Sequence, residues 1–304
     1  MKKAIVTGAN GFIGKALARC LAERGVEVYA VVRRSAGHLQ GLEKCNLVEC
    51  DLAEYSELGK LLPKGADVFY HFAWTGSAGT LRGDEQVQLT NVQASCHAVR
   101  SAAQAGCKRF VFASSIMEYE VAELMKTSAQ PSITTVYSTA KITANYMARA
   151  IAAQAGVEYI AAVISNIYGP GETSPRLINS SLRKMLRGER VSFSPGEQLY
   201  DFVYISDAVA MFAAVGEQGK PGRTYYIGNE HPRQLKSFLR EMHQLAAPDT
   251  ELGLGDLPFN GVSLTYQEFD THRVYDDTDF RITTTFEQGV KKTLEWIKKQ
   301  EESL

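Results

Sequence analysis

Tyr137 and Lys141 stand four residues apart in Tyr137-Ser138-Thr139-Ala140-Lys141, a spacing that puts both side chains on one face of a helix. A phenol with its pKa of about 10 is a poor proton exchanger at neutral pH, and a nearby cation favours the phenolate and moves it toward working pH. Lys141 would supply that cation. Ser115, two residues after Ala113, carries a hydroxyl able to orient a carbonyl or alcohol oxygen beside Tyr137. A Tyr and a Lys on one helix face are usually ordinary surface, so these three gain meaning only beside a second motif.

That motif is Thr7-Gly8-Ala9-Asn10-Gly11-Phe12-Ile13-Gly14. It follows the first apolar run and opens the first helical segment. Glycines spaced by three leave room for a pyrophosphate to approach backbone N–H groups at a positive helix end. Dinucleotide sites usually place an acidic residue near the end of the second strand, to accept from a ribose hydroxyl. Here that stretch reads Val31-Val32-Arg33-Arg34-Ser35, two guanidinium groups and a hydroxyl suited to clasp a 2′-phosphate. NADP(H) is therefore expected in preference to NAD(H), the other reading being a solvated basic strand end. Asp51-Leu52, beyond the third strand, would lie near the adenine, or Asp51 would be a helix cap.

The elements that must position these residues follow from apolar patterning. Strands are expected at Ala4–Val6, Val26–Val32, Leu47–Cys50, Val68–His71, Phe110–Ala113 and Tyr159–Ile164. Helical periodicity covers Gly14–Arg24, Val87–Gln104 and Tyr137–Gln154, with Gly25, Gly106 and Gly156 after the helices as C-terminal caps. Six β-α-β repeats predict an α/β fold with a doubly wound parallel sheet, whose ligands bind at the carboxyl ends of its strands. After about residue 165 turn clusters at Gly169-Pro170-Gly171, Ser194-Pro195-Gly196 and Pro221-Gly222 break the pattern. Residues 1–165 are thus expected to hold a dinucleotide. Residues 166–304 are mainly a smaller mixed α/β substrate lobe, with some segments returning to the first domain. Within that lobe Ser206-Asp207 is expected to cap a helix at Ala208–Val215, and Phe286–Lys299 reads as a terminal helix.

Composition removes other classes. The 304 residues carry Lys+Arg 33 against Asp+Glu 34, so neither a nucleic-acid-wrapping surface nor a polybasic membrane anchor is expected. No apolar run approaches the roughly 18 residues of a spanning helix. The apolar stretch Ala4–Val6 is too short for a signal peptide. Five cysteines without a C-x-x-C pair fit a reducing cytoplasm, and the scattered histidines predict no metal site.

The motifs TGANGFIG, YSTAK, the Ser114-Ser115 pair before Glu118-Tyr119, and NIYGPG together resemble the extended short-chain dehydrogenase/reductase family, in its NAD-dependent epimerase/dehydratase branch. The resemblance runs through Asp277–Lys298, which is similar to that branch's last helix and its lead-in. It implies a Rossmann domain with a substrate lobe, nucleotide-sugar substrates, and homodimers built from two helices per subunit, here Val87–Gln104 and Tyr137–Gln154. Ser115, Tyr137 and Lys141 are the implied catalytic residues. The implied cofactor site takes in Gly8, Asn10, Gly11, Phe12, Ile13, Gly14, Arg33, Arg34, Asp51, Leu52 and Ala73, with Tyr137 and Lys141. Substrate would meet Ser115, Met117, Asn166, Tyr200 and Trp74. Asn166 would otherwise be a turn-stabilising amide, and Trp74 a packing residue.

Departures from the branch narrow the expected chemistry. Members that remove water resemble one another in Thr-Asp-Glu where this chain has Ser115-Ile116-Met117, and Glu118 would point elsewhere. Members that epimerise at two carbons carry a Cys at the place of Met117 and a His at that of Gly171. Many relatives hold the diphosphate with an Arg where this chain has Tyr200, so Arg176, Arg183 or Arg273 would have to supply charge. The expected function is NADPH-dependent reduction of a nucleotide-linked 4-keto-deoxy sugar. The alternatives are a C4 epimerase with tightly held NAD, a reductase of other carbonyls, and a dinucleotide-binding regulator without turnover.

Overall fold

Seven parallel strands form the central sheet of the computed structural model, which describes residues 1–34, 39–127 and 130–302. The first half runs β1 (Lys3–Thr7), α1 (Phe12–Glu23), β2 (Glu27–Val32), β3 (Cys45–Glu49), α2 (Leu58–Leu61), β4 (Val68–His71), α3 (Glu85–Gln104), β5 (Arg109–Ser115), α4 (Glu118–Thr127), α5 (Thr135–Ala155) and β6 (Glu158–Ile164). There follow β7 (Asn166–Tyr168), α6 (Leu177–Leu186), β8 (Val191–Phe193), β9 (Leu199–Tyr200), β10 (Phe202–Tyr204), α7 (Ile205–Gln218) and β11 (Thr224–Ile227). The chain closes with β12 (Arg233–Gln234), α8 (Leu235–Ala246), β13 (Leu252–Leu254), α9 (Arg273–Asp277) and α10 (Phe286–Glu301).

The strand order is β11-β6-β5-β4-β1-β2-β3. Winding reverses between β1 and β4, and the crevice outside their carboxyl ends is where open α/β sheets bind ligands. The apolar runs are continuous because both faces are covered. Ala4, Val6, Val68 and Tyr70 join one core with Leu17 of α1 and Phe212 of α7. Ile5, Phe69, Phe110 and Phe112 join the other with Val99 of α3 and Ala144 and Ala148 of α5. The Rossmann-like α/β expectation therefore holds.

Local expectations differ in four places. Among the described residues no helix joins β2 to β3, and only a 3₁₀ turn and the single turn of α2 lie between β3 and β4, so the β-α-β repeat is irregular there. A seventh strand, β11, pairs with β6 from Thr224 alongside Ala161 to Ile227 alongside Ile164. The first helix begins at Phe12 rather than Gly14, and α5 begins at Thr135, so Tyr137 sits in its first turn. Finally, α7 starts at Ile205 rather than being capped by Ser206-Asp207. The Asp207 carboxylate instead accepts from Thr283 N (3.0 Å), Thr283 Oγ1 (2.8 Å) and Thr284 N (3.1 Å), anchoring the lead-in to α10.

Beyond the sheet, three two-stranded pairs, β7 with β10, β9 with β12 and β8 with β13, are backed by α6, α8 and α10. Rings of Tyr168, Phe202, Phe238 and Phe286 pack together beneath them. Thr285 and Gln288 start α10 with a reciprocal capping box. No described helix is long and apolar enough to cross a membrane.

Candidate active site

The loop after β1 turns tightly, with Gly11 N donating to Gly8 O at 2.9 Å. Gly8 has φ +66°, and a Cβ there would come within 2.7 Å of Ala73 N at the end of β4. A Cβ on Gly14 would collide with the Gly8 carbonyl, so α1 packs against its own loop only with glycine. Gly11 caps α1 without a side-chain acceptor and the first turn carries no acidic residue, which leaves the positive helix end open to an anion. Phe12 and Ile13 begin α1, and the Asn10 side-chain amide donates to Arg34 O at 3.2 Å, tying the loop to the end of β2. A cavity of about 400 Å³ opens above the loop and runs past Trp74 and Lys141 to Ser115 and Tyr137. Its glycine floor, open helix end and apolar wall fit a dinucleotide.

Tyr137 and Lys141 both point inward from α5 and are buried. The Lys141 ammonium donates to Ala113 O at 2.9 Å and stands 3.8 Å from the centre of the Trp74 ring. Burial lowers its pKa to about 7, against a favourable field from Glu118. Burial also raises Tyr137 above the ordinary phenol value; the neighbouring Ser115 hydroxyl and the charges of Arg82 and Arg176 pull it back down, while Glu118 raises it. The Arg82 guanidinium lies 4.5 Å from the centre of the Tyr137 ring. Arg82 and Arg176 thus bear on the phenol from outside α5.

The carboxylate of Glu118 faces away from both cavities at Ser115. It accepts from Ser114 Oγ (2.5 Å), Ser115 N (3.3 Å) and Asn145 Nδ2 (2.8 Å), locking the end of β5 to α5. Burial raises its pKa. Beneath the loop, His71 is held by Thr7 Oγ1 at 2.8 Å and Ser95 Oγ at 3.1 Å, and burial lowers its pKa to about 3, so it is a neutral strut.

A second cavity, of about 280 Å³, shares Ser77, Ser115, Tyr137, Ser165 and Arg176 with the first and continues to Met117, Asn166, Tyr200 and Arg82. Ser115 and Tyr137 therefore stand where the two meet. Asn166 donates its amide to Asp201 O at 3.0 Å, so that donor serves the turn while the side chain still lines the cavity. Asp201 is wholly buried, accepts from Tyr226 OH and Asn229 N at 2.7 Å each, and has its pKa raised to about 6 by burial.

Several expected residues stand elsewhere. Trp74 lines the first cavity, donates to Gln88 Oε1 at 2.9 Å and meets Tyr137 edge-on, so it backs Tyr137 and Lys141 and does not line the second cavity. Arg33 and Arg34 are exposed at the end of β2 and form no ion pair with a described residue; Ser35 lies outside the described residues. Asp51 accepts from Ala53 N at 3.0 Å as a cap of the 3₁₀ turn that includes Leu52, and neither residue lines the cavity. Ala73 is buried behind Gly8, its N–H donating to Thr7 Oγ1 at 3.3 Å. Of the three candidate cations only Arg176 reaches the site; Arg183 donates to Glu172 O and Arg273 to Thr224 O. Glu118 points away from both cavities, as the sequence analysis expects, whereas Arg82 beside Tyr137 escaped that analysis.

Residues 4–228 match the model of the NAD dependent epimerase/dehydratase family. The chain is similar to a trifunctional UDP-glucose 4,6-dehydratase/UDP-4-keto-6-deoxy-D-glucose 3,5-epimerase/UDP-4-keto-L-rhamnose-reductase of Arabidopsis thaliana, with 23% identity over 97% of this chain and 47% of that protein. It thus spans about half the length of that relative. It is 24% identical to a UDP-N-acetyl-alpha-D-glucosaminuronate decarboxylase of Bacillus cytotoxicus, covering 99% of both chains. Its fold is that of the UDP-glucuronic acid 4-epimerase from Bacillus cereus, solved with UDP-glucuronic acid and NAD, at a TM-score of 0.79 and 19% identity over 98% of this chain and 99% of that one.

Proposed function

The chain belongs to the NAD dependent epimerase/dehydratase family, of the extended short-chain dehydrogenase/reductase type, and we propose that it uses NADPH to reduce the ketone of a nucleotide-linked 4-keto-deoxy sugar. One observation carries this reading: among the described residues, the substrate cavity is lined by no Asp, Glu, His or Cys, which leaves Tyr137 as the proton-transfer group at its junction with the cofactor cavity. Removing water or inverting two carbons beside a ketone calls for further acid and base groups. Hydride transfer at one carbon calls for one.

The dinucleotide supplies the hydride. The glycine loop and the start of α1 would hold its pyrophosphate, and Lys141 its nicotinamide ribose. Ser115 orients the substrate oxygen. Tyr137 gives that oxygen its phenolic proton as the carbonyl carbon gains the hydride, so the ketone becomes an alcohol and the phenolate is reprotonated from solvent. In this reading residues 1–165 bind the dinucleotide and residues 166–304 mainly the sugar nucleotide. The protein works as a homodimer in a reducing cytoplasm, in keeping with its five unpaired cysteines. Arg33 and Arg34, with no acid at the end of β2, support NADP(H).

A second reading, a 4-epimerase that oxidises and re-reduces one carbon with retained NAD, uses the same three residues. The NAD-bound 4-epimerase of the same fold favours it. The deciding experiment is mass spectrometry of the purified protein, followed by NADPH and NADH titrations and an NADPH-consumption assay with UDP- and dTDP-4-keto-6-deoxyglucose. Exchangeable cofactor, tighter NADPH binding and net NADPH loss are expected. NAD that survives dialysis, with UDP-hexoses interconverted and no net NADPH loss, establishes the epimerase instead.

A further inference from the structure

Arg82 is the side chain around Tyr137 with the least obvious structural purpose. It sits in a 3₁₀ turn (Thr80–Gly83) between β4 and α3, on a loop that two inward-facing amides of α3 fasten in place. Gln88 donates to Gly76 O at 3.2 Å and Leu81 O at 2.8 Å, and Asn91 both donates to Thr75 O and accepts from Thr75 N at 2.8 Å. So fastened, the loop delivers the guanidinium to 4.5 Å from the centre of the Tyr137 ring, in the wall of the substrate cavity. Its Nε is buried and makes no hydrogen bond. Leaving a charged donor so placed costs stability. Surface packing would not need it.

The other charges facing Tyr137 are Arg176, ahead of α6, and Glu118, at the start of α4; Lys141 lies one turn along α5. Arg176 is paired with Glu172 at 3.3 Å, which spends part of its field. Lys141 is committed to the Trp74 face and the Ala113 carbonyl. A guanidinium keeps its proton at any working pH. We propose that Arg82 is the permanent cation that stabilises Tyr137 as phenolate at the moment its proton leaves, acting as a positioning residue through the ring it covers. This rests on the assignment of Tyr137 as proton donor, but not on the identity of the substrate.

The test reads the phenol directly. Tyrosinate absorbance is titrated on the protein saturated with NADP⁺, and Tyr137 is isolated by subtracting the Tyr137→Phe variant, first with Arg82 intact and then in Arg82→Gln and Arg82→Lys backgrounds. Circular dichroism marks the alkaline limit of folding. With Arg82 intact, the Tyr137 midpoint is expected at least about one pH unit below that in Arg82→Gln, the scale for a neighbouring opposite charge, and Arg82→Lys is expected to restore half or more of the difference. A midpoint unmoved by Arg82→Gln, a Lys variant no better than Gln, or a Tyr137 un-ionised up to the folding limit in every background overturns the proposal. No substrate is consumed in this measurement, so its failure is distinct from failure of the reductase reading, which the NADPH-consumption assay decides.

Discussion

The Lys141 ammonium rests on the face of Trp74, 3.8 Å from the ring centre, and the same indole meets the Tyr137 ring edge-on at 6.0 Å. One aromatic side chain thus touches both the lysine and the phenol ring and gives each a fixed wall. Burial against that wall is what brings the Lys141 pKa down to about 7.

The lowered value sets a pH dependence of stability. Between about 7 and the ordinary lysine value, the unfolded chain binds the proton at this position more fully than the folded protein. The contribution of this site to stability therefore rises with pH across that window, and below it the full cost of the buried charge is present. Lys141→Met is expected to stabilise the protein at pH 6, on the order of 2 kcal/mol, and to flatten the rise toward pH 9 while abolishing turnover. Urea unfolding of both proteins at several pH values checks this; parallel curves would refute it.

Tyr137→Phe removes one hydroxyl and keeps the ring that Trp74 and Arg82 pack against. Dinucleotide affinity should be unchanged within about threefold, and turnover should fall at least a hundredfold, on the usual scale of general acid catalysis. Steady-state assays and fluorescence titration separate the two quantities. Turnover near wild type would assign the proton to another group.

Arg33 and Arg34 are exposed at the end of β2, and replacing both by Ala disturbs no packed contact. NADPH binding is expected to weaken tenfold or more while NADH binding stays within about twofold, since a guanidinium–phosphate contact contributes about 1.5–3 kcal/mol. Equal losses for the two cofactors would make the arginines a solvated strand end.

Neighbouring helices α3 and α5 leave Leu89 60%, Tyr146 65% and Met147 47% exposed, a cost that a second copy would remove. Sedimentation should show a dimer, and Leu89→Glu with Met147→Glu should shift it to monomer without unfolding the protein. A wild-type monomer at micromolar concentration would end the proposal that these helices form an interface.

What could be read in the sequence was local. The loop from Thr7 to Gly14 and the Tyr137–Lys141 spacing are set within a single turn or helix, and the structure places their side chains together. Arg82 was missed because its place depends on what folds against it, a loop pinned by α3, just as the partners that hold Glu118 away from the cavities, Ser114 and Asn145, come from two different elements. Trp74 was assigned to substrate because a residue after β4 lies at the sheet's ligand edge whichever cavity it faces. The strand β11 was invisible for another reason. Its short run, Thr224-Tyr225-Tyr226-Ile227, follows a Pro-Gly turn in a region of broken pattern, and nothing nearby announces that its partner is β6.

That pairing governs how the molecule can be made. As the chain leaves the ribosome, β6 emerges long before β11 and must wait, its outer row of amides and carbonyls unsatisfied, until the intervening elements from β7 to α7 have been synthesised. The stretches before and after residue 165 consequently fold as one unit. A fragment ending at residue 165 would carry a bare, apolar sheet edge and pair with copies of itself. The remainder of the chain, cut free at the same place, would carry a strand with no sheet to join.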